Sequence, residues 1–371
     1  MNTIKVIYVL DGITKSLPFE WLVKKLNHKE IELIFVLINS QDSYLSNFLD
    51  AHSVSCYHLT YGGKKSYINT AIKILKIFRK EKPNAIHCHI RNANLLGIPM
   101  AKIMGIKHRI YTRHYSTYNH QYHPKSVFID KIVNRLSTKI IAISKVVKDT
   151  LVNLEGVKPE KVQSIYHGFE VSEFEQIDKN KIDVMKSKYA IPHNKKVVGC
   201  ISRMLHLKGH KYIIEAFRKA KTKFPNLHLV LANAIGPYKN EVINYLNEAL
   251  NAQDYTLIEF ENDIATLYQC FDLFIHVPIN KDIEAFGQIY VEALMSKIPS
   301  IFTKSGVANE FVIHNYNAYV VDYENSEEIY SGILKILTDK TYKNQLVENG
   351  FKSIEQFDFN NFITKTADLY V

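Results

Sequence analysis

The sequence predicts an α/β protein made of two Rossmann-like parallel-sheet domains facing each other across a cleft. Three observations carry that expectation. Strand-length apolar runs alternate with amphipathic helical stretches. The alternation stops in a charged stretch at 173–188 and starts again beyond it, and 371 residues exceed one ordinary core. Strands that alternate with helices give parallel sheets covered on both faces, and ligands gather at the carboxyl ends of such strands.

The elements follow in order. Residues 4–10 and 32–37 are apolar runs of strand length, with a helix expected at 19–26 between them. In 67–78, Ile68, Ala71, Ile72, Leu75 and Phe78 recur at helical spacing, with Lys73, Lys76 and Arg79 set apart from them. Strands are expected at 85–89, 109–112, 140–143 and 162–166. Past the charged stretch come strand 197–201, helix 212–220, and strands at 227–232, 256–260, 273–277 and 300–303. The expected boundaries are a first domain of 1–185, onto which a C-terminal helix at 358–371 packs back, and a second domain of 190–355.

A hydrophobic content of 46% with 23% charged residues excludes a disordered chain. Cys56, Cys88, Cys200 and Cys270 are widely separated with no metal-type pairing, which suits a reduced compartment. The opening residues read as a strand that ends at Asp11-Gly12, not as a secretory leader, and no apolar run approaches the roughly 20 residues of a membrane span. The expectation is a cytoplasmic protein. Its charge is uneven: residues 1–190 hold 29 Lys+Arg against 16 Asp+Glu, whereas the remainder holds 18 against 21. A basic first domain calls for an anionic partner, whether a lipid surface such as a membrane's inner face, a phosphorylated substrate or nucleic acid. Lys125, Lys131, Arg135 and Lys139 border Phe128, Ile132, Val133 and Leu136, a set that suits either surface docking or core packing.

The chemistry concentrates in the second half. In Glu284-Ala-Phe-Gly-Gln-Ile-Tyr-Val-Glu292 two carboxylates flank a glycine that opens a helix, just after an apolar strand. The amides of Phe286, Gly287 and Gln288 are expected to lack intrahelical partners and to form an anion site, with Glu292 about two turns into the helix. Upstream, a strand delivers Arg203 into a loop and Lys208-Gly209 follows, so that two cations can face a diphosphate. Gly306-Val-Ala-Asn-Glu310 adds a glycine turn after the strand at 300–303.

Together these segments resemble the retaining nucleotide-sugar glycosyltransferases of family 4, the bacterial surface-polysaccharide type with the two-domain GT-B fold. The resemblance is densest over 196–322 and extends more loosely to 140–170. It implies a hexosyltransferase that moves a sugar from a nucleoside-diphosphate sugar to a glycan or lipid-linked acceptor, with no cofactor and no metal. By the same resemblance Arg203 and Lys208 clamp the donor diphosphate, Glu284 takes the sugar hydroxyls, and Glu292 takes the ribose hydroxyls. Phe286, Gly287 and Gln288 cradle the distal phosphate or sugar, and His114 faces the reacting sugar. The chain departs from the pattern after its first strand, where Gly12 stands alone in place of a glycine pair, and again at 229–236.

Other constellations carry less. No Asp-x-Asp pair suits a divalent ion on a diphosphate. His87 and His89 are expected to face opposite ways on their strand and so not to share a metal. Gly62-Gly63-Lys64-Lys65-Ser66 lacks the spacing of a phosphate loop. The aromatic and basic mix at 115–122 is expected to contact acceptor or core, not nucleic acid. Two other readings of the same residues are a non-catalytic sugar-nucleotide-binding relative and a sugar-nucleotide epimerase on the same fold.

Overall fold

The computed structural model describes residues 3–26, 30–175 and 177–371. It divides into two units, Met1–Phe169 with Phe359–Val371, and Glu170–Asp358. In the first unit seven strands form one sheet: β1 (Ile4–Asp11), β2 (Ile31–Ile38), β3 (Cys56–Leu59), β4 (Ala85–His89), β5 (His108–Arg113), β6 (Lys139–Ala142) and β7 (Val162–Ser164). They lie in the order β3-β2-β1-β4-β5-β6-β7, every pair parallel. Val6–Leu10 and Leu33–Ile38 are fully buried, because helices cover both faces of a parallel sheet and no polar alternation survives there. β3 lies outside the strands expected from the sequence. Only Leu59 of its four residues is buried, so this edge strand has no apolar run to announce it.

The second unit repeats the plan with β8 (Lys196–Ile201), β9 (Leu227–Ala232), β10 (Tyr255–Ile258), β11 (Leu273–His276), β12 (Ser300–Phe302) and β13 (Tyr319–Val320). The order is β10-β9-β8-β11-β12-β13, again parallel. Phe217, Leu229, Leu246, Ile275 and Ile333 are among the buried side chains of its core. In each sheet the chain winds outward in both directions from a central pair, β1/β4 in one and β8/β11 in the other. At that switch point adjacent loops leave on opposite faces, which opens a crevice at the carboxyl edge.

The change of unit falls at Phe169/Glu170, earlier than the charged stretch suggested. The helix Lys179–Lys188 is tied to the second unit instead: Met185 is buried, Lys188 Nζ lies 2.6 Å from Glu261 Oε2, and the Tyr189 hydroxyl donates to the same oxygen at 2.6 Å. At the other end, the helix Phe359–Ala367 and the residues after it join the first unit. The Phe359 amide donates to the Phe169 carbonyl at 3.1 Å, and its ring meets Trp21 edge-on with centroids 5.5 Å apart. Tyr370 is buried, bonded through its hydroxyl to Tyr8 and, at 2.8 Å, to His87 Nδ1.

Candidate active site

Three loops meet at the carboxyl edge of the second sheet, and backbone constraints lock them together. The loop after β8 carries Arg203 and Lys208 and ends at Gly209, whose φ is +74°. A Cβ there would lie 2.2 Å from the Val277 carbonyl oxygen, so only glycine permits this approach to the loop after β11. The Ile279 amide closes the same junction by donating to the Leu207 carbonyl at 3.1 Å. The loop after β12 turns at Gly306, φ +57°, where a Cβ would come within 2.5 Å of the Phe286 carbonyl and 2.8 Å of Glu284 Cβ. The Val307 amide donates to that Phe286 carbonyl at 2.8 Å.

Glu284 sits where these loops converge. Its amide takes Ser305 Oγ as acceptor at 3.0 Å, which fixes the backbone from which the carboxylate projects. Oε1 receives both the Lys208 ammonium and, at 2.9 Å, His276 Nε2–H. Oε2 has no hydrogen-bond partner among the described residues. Burial works to raise the carboxyl's pKa, yet the His276 bond and the Lys208 charge outweigh it and hold the group at about 2. His276 itself is pushed below its usual range by burial, so it donates as a neutral imidazole.

The helix Gln288–Met295 opens at Gly287, φ +85°, with no side-chain cap. The amides of Gly287 and Gln288 have no partner among the described residues, and they carry the positive end of an eight-residue helix. Glu292 is the fifth residue of that helix, so it stands about one turn in, not two. The Tyr268 hydroxyl donates to its Oε2 at 3.1 Å, but burial dominates and raises the carboxyl to about 7. Two acidic groups eight positions apart thus differ in state: Glu284 is firmly ionised and Glu292 titrates near neutral pH. Arg203 is exposed at the end of β8, and its guanidinium makes no ion pair among the described residues. The segment after β9 grips this loop through Gly236, where a Cβ would lie 2.4 Å from the Met204 carbonyl.

His114 and Gly12 belong to the first unit, at the carboxyl ends of β5 and β1. Gly12 has φ +66°, and its amide donates to Ile38 at 2.8 Å. Beside it, Asp11 accepts from Asn92 at 2.8 Å and Asn39 at 3.2 Å. His114 Nε2 lies 2.9 Å from His89 Nδ1, and its ring stacks on His167 with centroids 5.5 Å apart. Burial lowers His114 to about 4 and His167 to about 3. The loop holding His114 is anchored by Arg113, which is buried and pairs with Glu155 at 2.5 Å and with Asp130 at 3.6 Å.

His87 and His89 face the same way, contrary to the expectation from the sequence. Residues two apart on a strand share a face, and their ring centroids are 4.3 Å apart. Even so, among the described residues no group of three or more His, Cys, Asp or Glu is placed to hold a metal ion. Sequence reasoning also missed His276 and Ser305, the two partners that orient Glu284. His276 did leave a signal, as the single polar residue in the apolar run Leu273-Phe-Ile-His-Val277.

Two Rossmann-like units, each with loops gathered at the carboxyl ends of its parallel strands, define a doubly wound α/β protein. Comparison with known families narrows this. The model described as Glycosyltransferase Family 4 matches residues 22–173, and the one described as Glycosyl transferases group 1 matches 181–353. With both units matched in turn, the chain belongs among the GT-B glycosyltransferases. It is 24% identical to a Staphylococcus aureus capsular polysaccharide biosynthesis glycosyltransferase, CapM, over 78% of this chain and 77% of that protein. It is 21% identical to an Escherichia coli UDP-Gal:α-D-GlcNAc-diphosphoundecaprenol α-1,3-galactosyltransferase, over 94% and 93%. Among solved structures, Anabaena HepE in complex with UDP and glucose superposes with a TM-score of 0.84 at 19% identity, covering 98% of each chain. No described helix is long and apolar enough to cross a membrane.

Proposed function

We propose that the protein transfers a sugar, with retention of anomeric configuration, from a nucleoside-diphosphate sugar to a glycan or lipid-linked acceptor in surface-polysaccharide synthesis. The observation that carries this reading is Glu284, a carboxylate held ionised by Lys208 and His276 on one oxygen, with its other oxygen open beside uncapped amides. Such a set suits a sugar attached to a diphosphate. The Gly287 and Gln288 amides receive phosphate or sugar oxygens, Arg203 and Lys208 counter the diphosphate charge, and Glu284 Oε2 accepts sugar hydroxyls. Glu292 accepts the ribose hydroxyls, which donate best to its ionised form. Gly12 lets backbone approach the donor, and His114 meets a sugar oxygen.

Breaking the sugar–phosphate bond leaves negative charge on the departing diphosphate and positive charge on the ring. Donors already aimed at that diphosphate stabilise the transition state more than the ground state. In the retaining course the acceptor hydroxyl attacks the face the diphosphate leaves, and a leaving phosphate oxygen takes the hydroxyl proton. Glu284 binds sugar in this scheme and forms no covalent bond. The names of the capsular and undecaprenol-linked relatives support the acceptor class, and the UDP-bound neighbour makes uridine diphosphate the first base to test. The positive field comes from protein groups, so transfer is expected to persist in EDTA.

A membrane surface is part of the same proposal. On the helix Pro124–Leu136, Val133 is buried, but Phe128 is 69% exposed and Ile132 43% exposed, beside exposed Lys125, Lys131 and Arg135. Core packing therefore takes only part of the apolar stripe, and the rest forms a basic, apolar strip suited to the headgroups of an anionic bilayer. The test of the catalytic reading is sugar transfer by Glu284→Gln, expected to fall about 10²–10³-fold. Undiminished transfer by this variant overturns the assignment.

A further inference from the structure

The histidines at the carboxyl edge of the first sheet set one another's protonation, and this decides what His114 can do. His89 Nδ1 and His114 Nε2 are 2.9 Å apart with one proton between them, since burial keeps both rings neutral. Two arrangements are possible. Either His114 Nε2–H donates, in which case His89 carries its own proton on Nε2, or His89 Nδ1–H donates, in which case His114 carries its proton on Nδ1.

His89 Nε2 decides between them. It is buried and has no hydrogen-bond partner among the described residues. Its ring lies among apolar and aromatic faces, with Phe19 edge-on at 5.0 Å, Tyr8 at 5.6 Å and His87 at 4.3 Å between centroids. A buried N–H without an acceptor is rarer, and less tolerated, than a buried lone pair without a donor. The proton therefore sits on His89 Nδ1. His87 does not compete for it, because its Nδ1 and Nε2 are taken by Tyr370 and Thr112, each at 2.8 Å. The backbone at this point is also strained. Ile90, next to His89, has φ 72° and ψ 152°, a conformation foreign to a β-branched residue and maintained only where the surroundings over-determine it.

We propose that His89 is a positioning residue that fixes His114 as the Nδ1–H tautomer, so that His114 meets its ligand as a hydrogen-bond donor. The ligand atom it receives is then a lone pair on a sugar or phosphate oxygen, and His114 does not take a proton from the acceptor hydroxyl. This rests on the reading above only in making a sugar-bearing substrate the ligand; the tautomer itself belongs to the free protein.

Long-range ¹H–¹⁵N correlation of the ¹⁵N-histidine-labelled full chain at neutral pH reads the tautomer directly. The expected result is a pyrrole-type Nδ1 and a pyridine-type Nε2 for His114. A pyrrole-type Nε2 at His114 overturns the proposal, whatever the enzyme's activity. In kinetics, His89→Leu is expected to lower kcat about tenfold or more with little change in KM. His89→Asn, whose amide nitrogen can stand near the lost Nδ1–H, is expected to restore most of it. Equal loss in both variants, with unchanged melting temperature, also overturns it. If the tautomer is as expected but His114→Ala transfers sugar at the full rate, the assigned role of His114 fails while the tautomer assignment stands.

Discussion

At the residue scale, Glu284 and Glu292 show how position outweighs residue type. Glu284 is paired and its carboxyl is held at about 2, whereas Glu292 has one neutral donor and is raised to about 7. The pKa of Glu292 in the fold is above the ordinary 4.5, so the folded state binds the proton more tightly and loses stability as pH rises from about 4.5 to 7, with little further change above. If ribose hydroxyls bind the ionised form, nucleoside-diphosphate affinity moves the other way. We expect it to rise about tenfold between pH 6 and pH 8, read by titration calorimetry, and Glu292→Gln to flatten that slope. A wild-type affinity independent of pH in this window contradicts the ribose role. The cationic clamp makes a second prediction. Lys208→Ala is expected to cut transfer more than a hundredfold, and EDTA is expected to leave wild-type transfer intact. Loss in EDTA that magnesium restores would show that the positive field is incomplete without an ion.

At the element scale, the site depends on how three loops approach one another, and glycines permit the contacts. Gly306→Ala places a methyl group against the Phe286 carbonyl and Glu284 at a positive φ. It is expected to destabilise the fold by about 1–3 kcal/mol, lowering Tm by several degrees in calorimetry, and to impair transfer as well. Gly63→Ala has φ +87° but nothing within 4 Å of the added carbon, so it serves as the control, with a smaller shift and unchanged transfer. Apolar runs announced most of the strands, because both faces of a parallel sheet are covered. They could not announce β3 and β13, which are short edge strands with little buried surface. The glycine and carboxylate spacing of 284–292 was legible for a local reason: a helix start after a strand end needs only neighbouring residues. His276 and Ser305 were not, because their contacts to Glu284 arise from tertiary folding. The two histidines of β4 went wrong through a misapplied strand period, not through any silence of the sequence.

At the scale of the whole molecule, the net charge of +10 is concentrated in the first half. Sedimentation with vesicles containing anionic phospholipid is expected to capture the protein at low salt and to release it as ionic strength rises. Phe128→Ser with Ile132→Ser is expected to weaken capture at every salt concentration, because it removes apolar insertion and leaves the charge. The C-terminal return is also global in effect. Tyr370→Phe strands the Tyr8 hydroxyl and His87 Nδ1 inside the first unit and is expected to cost about 1–3 kcal/mol in thermal unfolding.

The central claim is that the carboxyl edge of the second sheet grips a sugar diphosphate through Arg203, Lys208 and the opening amides of the Gln288–Met295 helix. A crystal structure of the protein soaked with a UDP-sugar tests it most directly. Diphosphate density is expected against Lys208 and the Gly287–Gln288 amides, with the sugar on Glu284 Oε2 and the ribose at Glu292. Clear density for the nucleotide elsewhere, with this edge unaltered, contradicts it.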